Sequence, residues 1–370
     1  MATSSTSVNA RADRLGVIVN PTAGKGFGAK VGDAVIRRLH EEGHDVWNLS
    51  GSSADLALEH VKRAVADGIG AIVVVGGDGM VHLGIQQVAG TNIPLGIIPV
   101  GTGNDFAAVL GLPVAEPTRA VSNMSAALRA GEAGIKRVDL IRVTGLGLLA
   151  PAGQKSPPPN YCQWVAGAVS AGLDAAINAR ANAMARPRGS SRYFVAALRE
   201  LAAYRSWPYL LTVEHAVHTD KELKHHLSFR GVQDLGPEPN GDGHRLRWHA
   251  HGALVTAANS AIIGGGIVVA PGAKIDDGLL DLVIAQDIGK AGAAKLFPMM
   301  MSGGKHAGSS DVRIIRCRAV DIHPGQNAVR LPAAYADGEY LGTLPLRAEL
   351  VPGALRVLVP PAGSSTTPVH

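Results

Sequence analysis

From Leu15 to about Val138, short unbroken apolar runs alternate with longer segments of helical period, and this alternation limits the fold more than any other feature of the chain. LGVIVN leads to a predicted helix near 29–42, then DVWNLS, a helix near 54–66, AIVVVGG, a helix near 80–88, and PLGIIPVG. Strands covered on both faces read as continuous apolar runs, and helical crossovers are what join parallel strands. A parallel sheet flanked by helices is therefore expected. After VDLIRV, at 138–143, the texture changes. Prolines at 157–159 mark a loop, and LSFRGV, RLRWHAHGALVTAANS and GLLDLVIA read as antiparallel strands between turns. Two amphipathic helices, near 193–204 and 291–301, interrupt this second, β-rich part. The expected layout is a tail over 1–13, an α/β domain over 14–137, a β-rich domain over 138–352, and a return segment with a disordered tail over 353–370.

Composition narrows the setting. The apolar share of 46% and charged share of 18% suit a globular protein with a sizeable core. Its longest apolar runs, 71–75 and 93–100, fall far short of the roughly 20 residues that cross a bilayer, so a soluble protein is expected. The opening MATSSTSVNARADR lacks the apolar stretch of a secretory signal, which points to the cytoplasm. Cys162 and Cys317 stand apart, with neither metal spacing nor a disulfide framework, and are read as thiols. A net charge of +5 and a pI of about 9.3 favour anionic partners: nucleotides, phospholipid surfaces or nucleic acid.

Three glycine-bearing turns follow strands of the first domain: NPTAGKG at 20–26, GGDG at 76–79 and GTGND at 101–105. In a parallel sheet such turns emerge on the carboxyl edge, where open α/β sheets bind ligands. Each also precedes a helix, whose unpaired first N–H groups favour phosphate. The familiar nucleotide loops do not fit. Lys25 is followed by Gly26, which breaks a P-loop, and Phe106 stands where a dinucleotide fingerprint needs a third glycine. His-Arg-Asp of protein kinases is absent. Asp78, Asp105 and Asp139 stand at or near strand ends, so carboxylates would approach phosphates. A divalent cation makes that tolerable, and Mg²⁺ usually binds one or two carboxylates plus substrate phosphates. The set favours a kinase, because phosphoryl transfer needs positioning, charge neutralisation and an acceptor-side base.

With NPTAGKG, GGDGMVH and PVGTGNDFA in this order and spacing, the chain resembles the diacylglycerol kinase-like lipid kinases, a superfamily that includes sphingosine and ceramide kinases and, more distantly, NAD kinases. VDL at 138–140, SAGLDAAINARAN at 170–182, GGGIVVAPGAKIDDGLLDLVIA at 264–285, GGKH at 303–306 and DGE at 337–339 extend the likeness. The resemblance implies an ATP-binding α/β domain, a β-sandwich-like second domain, and a lipid acceptor in the cleft between them. It assigns the nucleotide to Asn20, Pro21, Thr22, Ala23, Gly24 and Lys25, to Gly76, Gly77, Asp78 and Gly79, and to Thr102 and Asn104, with Ser50 or Ser52 nearby. Asp78, Asp105 and Asp139 match an acidic network around catalytic Mg²⁺, and Asp337, assisted by Glu339, matches the base. A structural metal in similar bacterial enzymes would fall on Lys274, Asp277 and Leu279. Two positions depart from the family pattern: Met80 replaces a threonine and His82 an asparagine.

On the acceptor side, six arginines between Arg180 and Arg205 face one glutamate, Glu200, among Tyr193, Phe194 and Tyr204. This composition suits an interfacial helix on an anionic leaflet, with a solvated basic face over a core helix as the plainer reading. No nucleic-acid module is recognisable. His215, His218, His225 and His226 form no ligand pattern, and His249 with His251 are too few for a metal site. The expected protein is a cytoplasmic, peripherally membrane-associated lipid kinase of phospholipid metabolism, using ATP and Mg²⁺, and compatible with a homodimer. An NAD kinase-like enzyme and a non-catalytic nucleotide- or lipid-binding regulator are the alternatives.

Overall fold

The computed structural model describes residues 14–360 apart from 146, 149–159, 187–190, 204, 217–218, 240–242, 287 and 330. The terminal tails, the prolines at 157–159, Tyr204 and His218 lie outside the described residues. The chain divides into two compact units, one formed by residues up to Val138 together with those from Gly353 onward, the other by Asp139–Pro352.

In the first unit, strands β1 (Arg14–Val19), β2 (Asp45–Asn48), β3 (Ala71–Gly76) and β4 (Leu95–Pro99) form a parallel sheet in the order β2–β1–β3–β4. The end of strand Leu346–Leu358 adds beyond β4, Val357 opposite Leu95. Every residue of β3 and β4 is buried, which explains why their sequences are apolar without alternation. The chain goes outward from β1 to β2 and then returns to β3 on β1's other side. Adjacent connections therefore leave in opposite directions at β1 and β3, the place where such sheets hold ligands. Helix Gly28–Glu41 buries Val35 and Leu39 against this sheet and approaches β1 closely, since a Cβ on Gly32 would meet the Val19 side chain at 2.5 Å. Helix Pro117–Ala130 is absent from the sequence expectations, although proline in the first turn is a start signal.

The second unit is β-sandwich-like and antiparallel. Its long strand His244–Ala258 pairs Leu246–Gly252 with Trp207–Val213, and Leu254–Ala258 with Asp281–Ala285, the register shifting between Gly252 and Leu254. Before that shift, burial alternates, with Arg247, His249 and His251 exposed; after it, every residue is buried. One strand thus serves a half-solvated layer and then a fully covered one. Its core gathers Tyr209, Leu211, Trp248, Leu282 and Ile322.

Asp174 lies within this unit at the first turn of helix Leu173–Ala183 and is buried. Thr256 and Ser170, directly opposite each other across two strands, both hydrogen-bond to it, the Thr256 hydroxyl donating at 2.5 Å, and the Ala175 N–H donates at 2.9 Å. Burial raises its pKa above the ordinary 3.8 despite these donors, and burial followed by the nearby Asp174 charge also raises that of the Tyr209 phenol. A carboxyl whose folded pKa exceeds its unfolded value keeps a proton that the unfolded chain releases. Its contribution is therefore complete below 3.8 and is lost as the pH rises through the folded value. In urea unfolding over a pH series, Asp174→Asn should gain on wild type with rising pH, by up to about 1.4 kcal/mol per pH unit across that window. Parallel curves for the two proteins would refute the assignment.

Candidate functional site

In the first unit the three glycine turns meet. Backbone hydrogen bonds continue the ladders beyond the strand ends, from Asn20 N–H to the Val75 carbonyl at 3.0 Å and from Val100 N–H to the Gly76 carbonyl at 2.9 Å. Gly77 and Gly101 then come into backbone contact: a Cβ on Gly77 would stand 3.1 Å from the Gly101 Cα, and one on Gly101 would overlap the Gly77 backbone. A Cβ on Gly24, whose φ is +58°, would lie 2.6 Å from the Val100 carbonyl oxygen. These glycines are needed because backbone passes backbone, with no room for a side chain.

A carboxylate locks the contact. Asp78, in the first turn of helix Asp78–Val88, accepts the Asn104 N–H on Oδ2 at 2.8 Å, and a Cβ on Gly103 would sit 2.5 Å from that oxygen. Asn104 holds a left-handed conformation, φ 63°, and is buried. Its side chain accepts the Gly101 N–H at 3.1 Å and donates to the Gly101 carbonyl at 2.8 Å. On the first turn, Asn20 Oδ1 accepts both the Thr22 N–H and the Thr22 hydroxyl, at 3.0 and 2.8 Å. Thr102 is exposed, while Asp105 begins the short helix Asp105–Val109. The Lys25 side chain lies outside the described residues. Met80 packs over Gly76, His82 keeps a buried Nδ1 without a hydrogen bond, and the Ser50 hydroxyl accepts the Val19 N–H at 2.9 Å, at the end of β1.

The other predicted residues belong to the second unit. Asp139 is buried there, donating its N–H to the Ile275 carbonyl at 2.7 Å and accepting the Gly278 N–H on Oδ2 at 2.8 Å. Asp337 and Gly338, with φ of 49° and 86°, form the two-residue turn of the hairpin Ala334–Ala336/Glu339–Gly342, as Asp-Gly favours. The Asp337 carboxylate accepts the N–H groups of Ala166, Gly167 and Ala168 at 2.9, 2.9 and 3.3 Å, which holds it as an oriented anion. Asn182 donates to the Gly338 carbonyl at 2.8 Å, and Glu339 is exposed. Asp277 accepts the Leu279 N–H at 3.2 Å and forms an ion pair with Arg316, so an arginine supplies positive charge at that loop. Lys274, three residues earlier, is exposed. Among the described residues, no three His, Cys, Asp or Glu side chains gather as a metal site. Asp78 accepts the Asn104 N–H through Oδ2, and a single carboxylate of this kind suits a cation that completes its shell with substrate phosphates and water rather than one caged by protein.

Comparison with known proteins identifies the family. The family described as "Diacylglycerol kinase catalytic domain" matches residues 14–143, and "YegS C-terminal NAD kinase beta sandwich-like domain" matches 167–359. A protein of Mycobacterium tuberculosis named diacylglycerol kinase is 32% identical over 351 residues, covering 95% of this chain and 96% of its own. The chain belongs to the diacylglycerol kinase and YegS-like lipid kinase family. A probable lipid kinase YegS-like protein of Xanthomonas axonopodis pv. citri is 27% identical, covering 82% and 83% of the two chains. The crystal structure of a diacylglycerol kinase from Bacillus anthracis shares the fold, with a TM-score of 0.60 at 18% identity over 95% of this chain and 98% of that one.

Within this family member, one supporting residue escapes sequence reasoning. Asn259 is fully buried and donates from Nδ2 to the carbonyls of Asp139 and Ala166 at 2.8 and 2.9 Å, while its N–H donates to the Gly167 carbonyl at 2.8 Å. It thus ties the Asp139 backbone to the loop whose N–H groups hold Asp337. An asparagine at the end of VTAAN carries no signal of this, because its partners lie 120 and 93 residues away. Asn259→Ala removes a donor from each of two buried carbonyls, and urea unfolding should show a loss of about 2–5 kcal/mol. A loss under about 0.5 kcal/mol, the range of neutral surface changes, would contradict this role.

Proposed function

We propose that the chain is an ATP- and Mg²⁺-dependent kinase that phosphorylates a hydroxyl of a diacylglycerol-like lipid, giving a phosphatidate-like product. The observation that carries this reading is the backbone contact of Gly77 with Gly101, closed by the Asp78–Asn104 hydrogen bond. It joins two strand-to-helix turns into one backbone edge beside the topological switch point, where helix Asp78–Val88 begins, a setting suited to polyphosphate. The first turn, Asn20 to Lys25, adds amide, hydroxyl and ammonium groups, and Thr102 adds a hydroxyl. Asp78, with Asp105 and Asp139, would hold Mg²⁺, whose charge neutralises the phosphates. Asp337 takes the proton of the acceptor hydroxyl, and Glu339 assists. The acceptor oxygen then bonds to the γ-phosphorus as the bond to the bridging oxygen of ADP breaks.

The relatives' names support a lipid acceptor over NAD. No helix among the described residues is long and apolar enough to cross a membrane. A bilayer acceptor would on this reading be met at the membrane surface. The test is transfer of labelled phosphate from ATP to a lipid extract containing diacylglycerol and sphingoid bases. Wild type should label diacylglycerol, and Asp78→Asn and Asp337→Asn should each lower the rate about 10²- to 10⁴-fold. Absence of transfer to any lipid would sink the reading, and full activity in Asp337→Asn would remove that residue as the base.

A further inference from the structure

Two neighbouring helices of the second unit leave apolar side chains in solvent. Helix Ser191–Ala202 buries Ala196 and Ala197 but exposes Phe194 and Leu198, one turn apart, at 53% and 52%. Helix Lys290–Met301 lies antiparallel beside it: Lys290 Nζ donates to the Ala202 carbonyl at 2.7 Å, and the Phe297 ring meets the Phe194 ring at 6.2 Å. One turn past Phe297, Met301 is 50% exposed. Phe194 with Leu198 on one helix and the half-buried Phe297 with Met301 on the other thus form an apolar ridge across two adjoining helices, joined at the contact of the two phenyl rings. Scattered exposed hydrophobes need no explanation, but a contiguous set on adjoining elements marks an interaction surface.

The charges around the ridge indicate its occupant. Residues 191–205 and 290–305 carry six cations, Arg192, Arg199, Arg205, Lys290, Lys295 and Lys305, against one carboxylate, Glu200. Glu200 is engaged by Arg180, so the single acid is neutralised. Arg199 follows Leu198 directly, and Lys295 precedes Phe297 by two residues; both are exposed. An apolar ridge rimmed by basic residues fits an anionic bilayer, where side chains enter the acyl boundary and cations meet the headgroups.

We propose that Phe194, Leu198, Phe297 and Met301 dock this protein on anionic lipid bilayers, with Arg199 and Lys295 contacting headgroups. The inference rests on the reading that the acceptor is a bilayer lipid, and it assigns the surface that meets the bilayer. Helix Ser191–Ala202 also places Tyr193 by the Asp337–Gly338 turn, since a Cβ on Gly338 would stand 3.7 Å from the Tyr193 hydroxyl. The docking helix and the base we assign therefore belong to one local structure.

The experiment is cosedimentation of the full chain with vesicles of equimolar phosphatidylglycerol and phosphatidylcholine, alongside ATP-dependent phosphorylation of a short-chain, water-soluble diacylglycerol. Phe194→Ser/Leu198→Ser/Met301→Ser should weaken vesicle partitioning at least about tenfold. Arg199→Glu/Lys295→Glu should weaken it further, at about fivefold per cation lost, and only when phosphatidylglycerol is present. Both variants should unfold like wild type and phosphorylate the soluble substrate at its rate, since the changed residues are exposed. Wild-type partitioning by the triple variant overturns the proposal, as does loss of self-association in that variant with vesicle binding intact. Patch-dependent vesicle binding without phosphorylation of the soluble lipid supports the surface while removing the kinase reading.

Discussion

Everything at the candidate site depends on two backbone segments passing within van der Waals distance. Gly77 and Gly101 touch because neither has a side chain, and the hydrogen bond from Asn104 N–H to Asp78 keeps them together. Without that bond the GGDG and GTGND turns would be two tight bends on neighbouring strands. With it they form one rigid edge, and N–H groups fixed before a ligand arrives need no reorganisation when it binds. The question of why a carboxylate stands among anion-seeking glycines has a structural answer in the first place. Asp78 fastens the turn opposite, through one oxygen, and a metal role would use the other.

A similar economy of design recurs in the second unit, where the charged group is again held by peptide N–H donors. Asp337 is gripped by three of them at residues 166–168, and the same loop is pinned from behind by Asn259. Buried polar side chains of this kind stabilise by satisfying backbone groups, and they also restrict a loop to one geometry. Because each such residue serves groups far away in sequence, changing one should disturb the position of a carboxylate it never touches.

How far these features could be read from sequence follows from the distance over which each is determined. AIVVVGG and PLGIIPVG announce buried parallel strands because their burial is set by the strands themselves, and the glycines at their ends mark the turns. The Asp-Gly turn at 337–338 is equally local, since its conformation follows from two residues. Asn104 illustrates the boundary. Its place after GTG suggests an amide for a ligand, whereas the structure turns both ends of that amide onto Gly101. Asn259 lies beyond the boundary altogether, as only the folded chain brings it to Asp139 and Ala166. The exposed ridge on helices 191–202 and 290–301 was half legible: the basic, aromatic first helix stands out in sequence, but its pairing with Phe297 and Met301 is tertiary.

The most direct test of the central claim is calorimetric titration of a non-hydrolysable ATP analogue, in Mg²⁺, into wild type and Gly101→Ala. One added methyl group should force the two turns apart while leaving both strands in place. The account predicts cooperative unfolding of the variant and a loss of affinity of about 30-fold or more, about 2 kcal/mol. A folded Gly101→Ala protein that binds the analogue as tightly as wild type would contradict it.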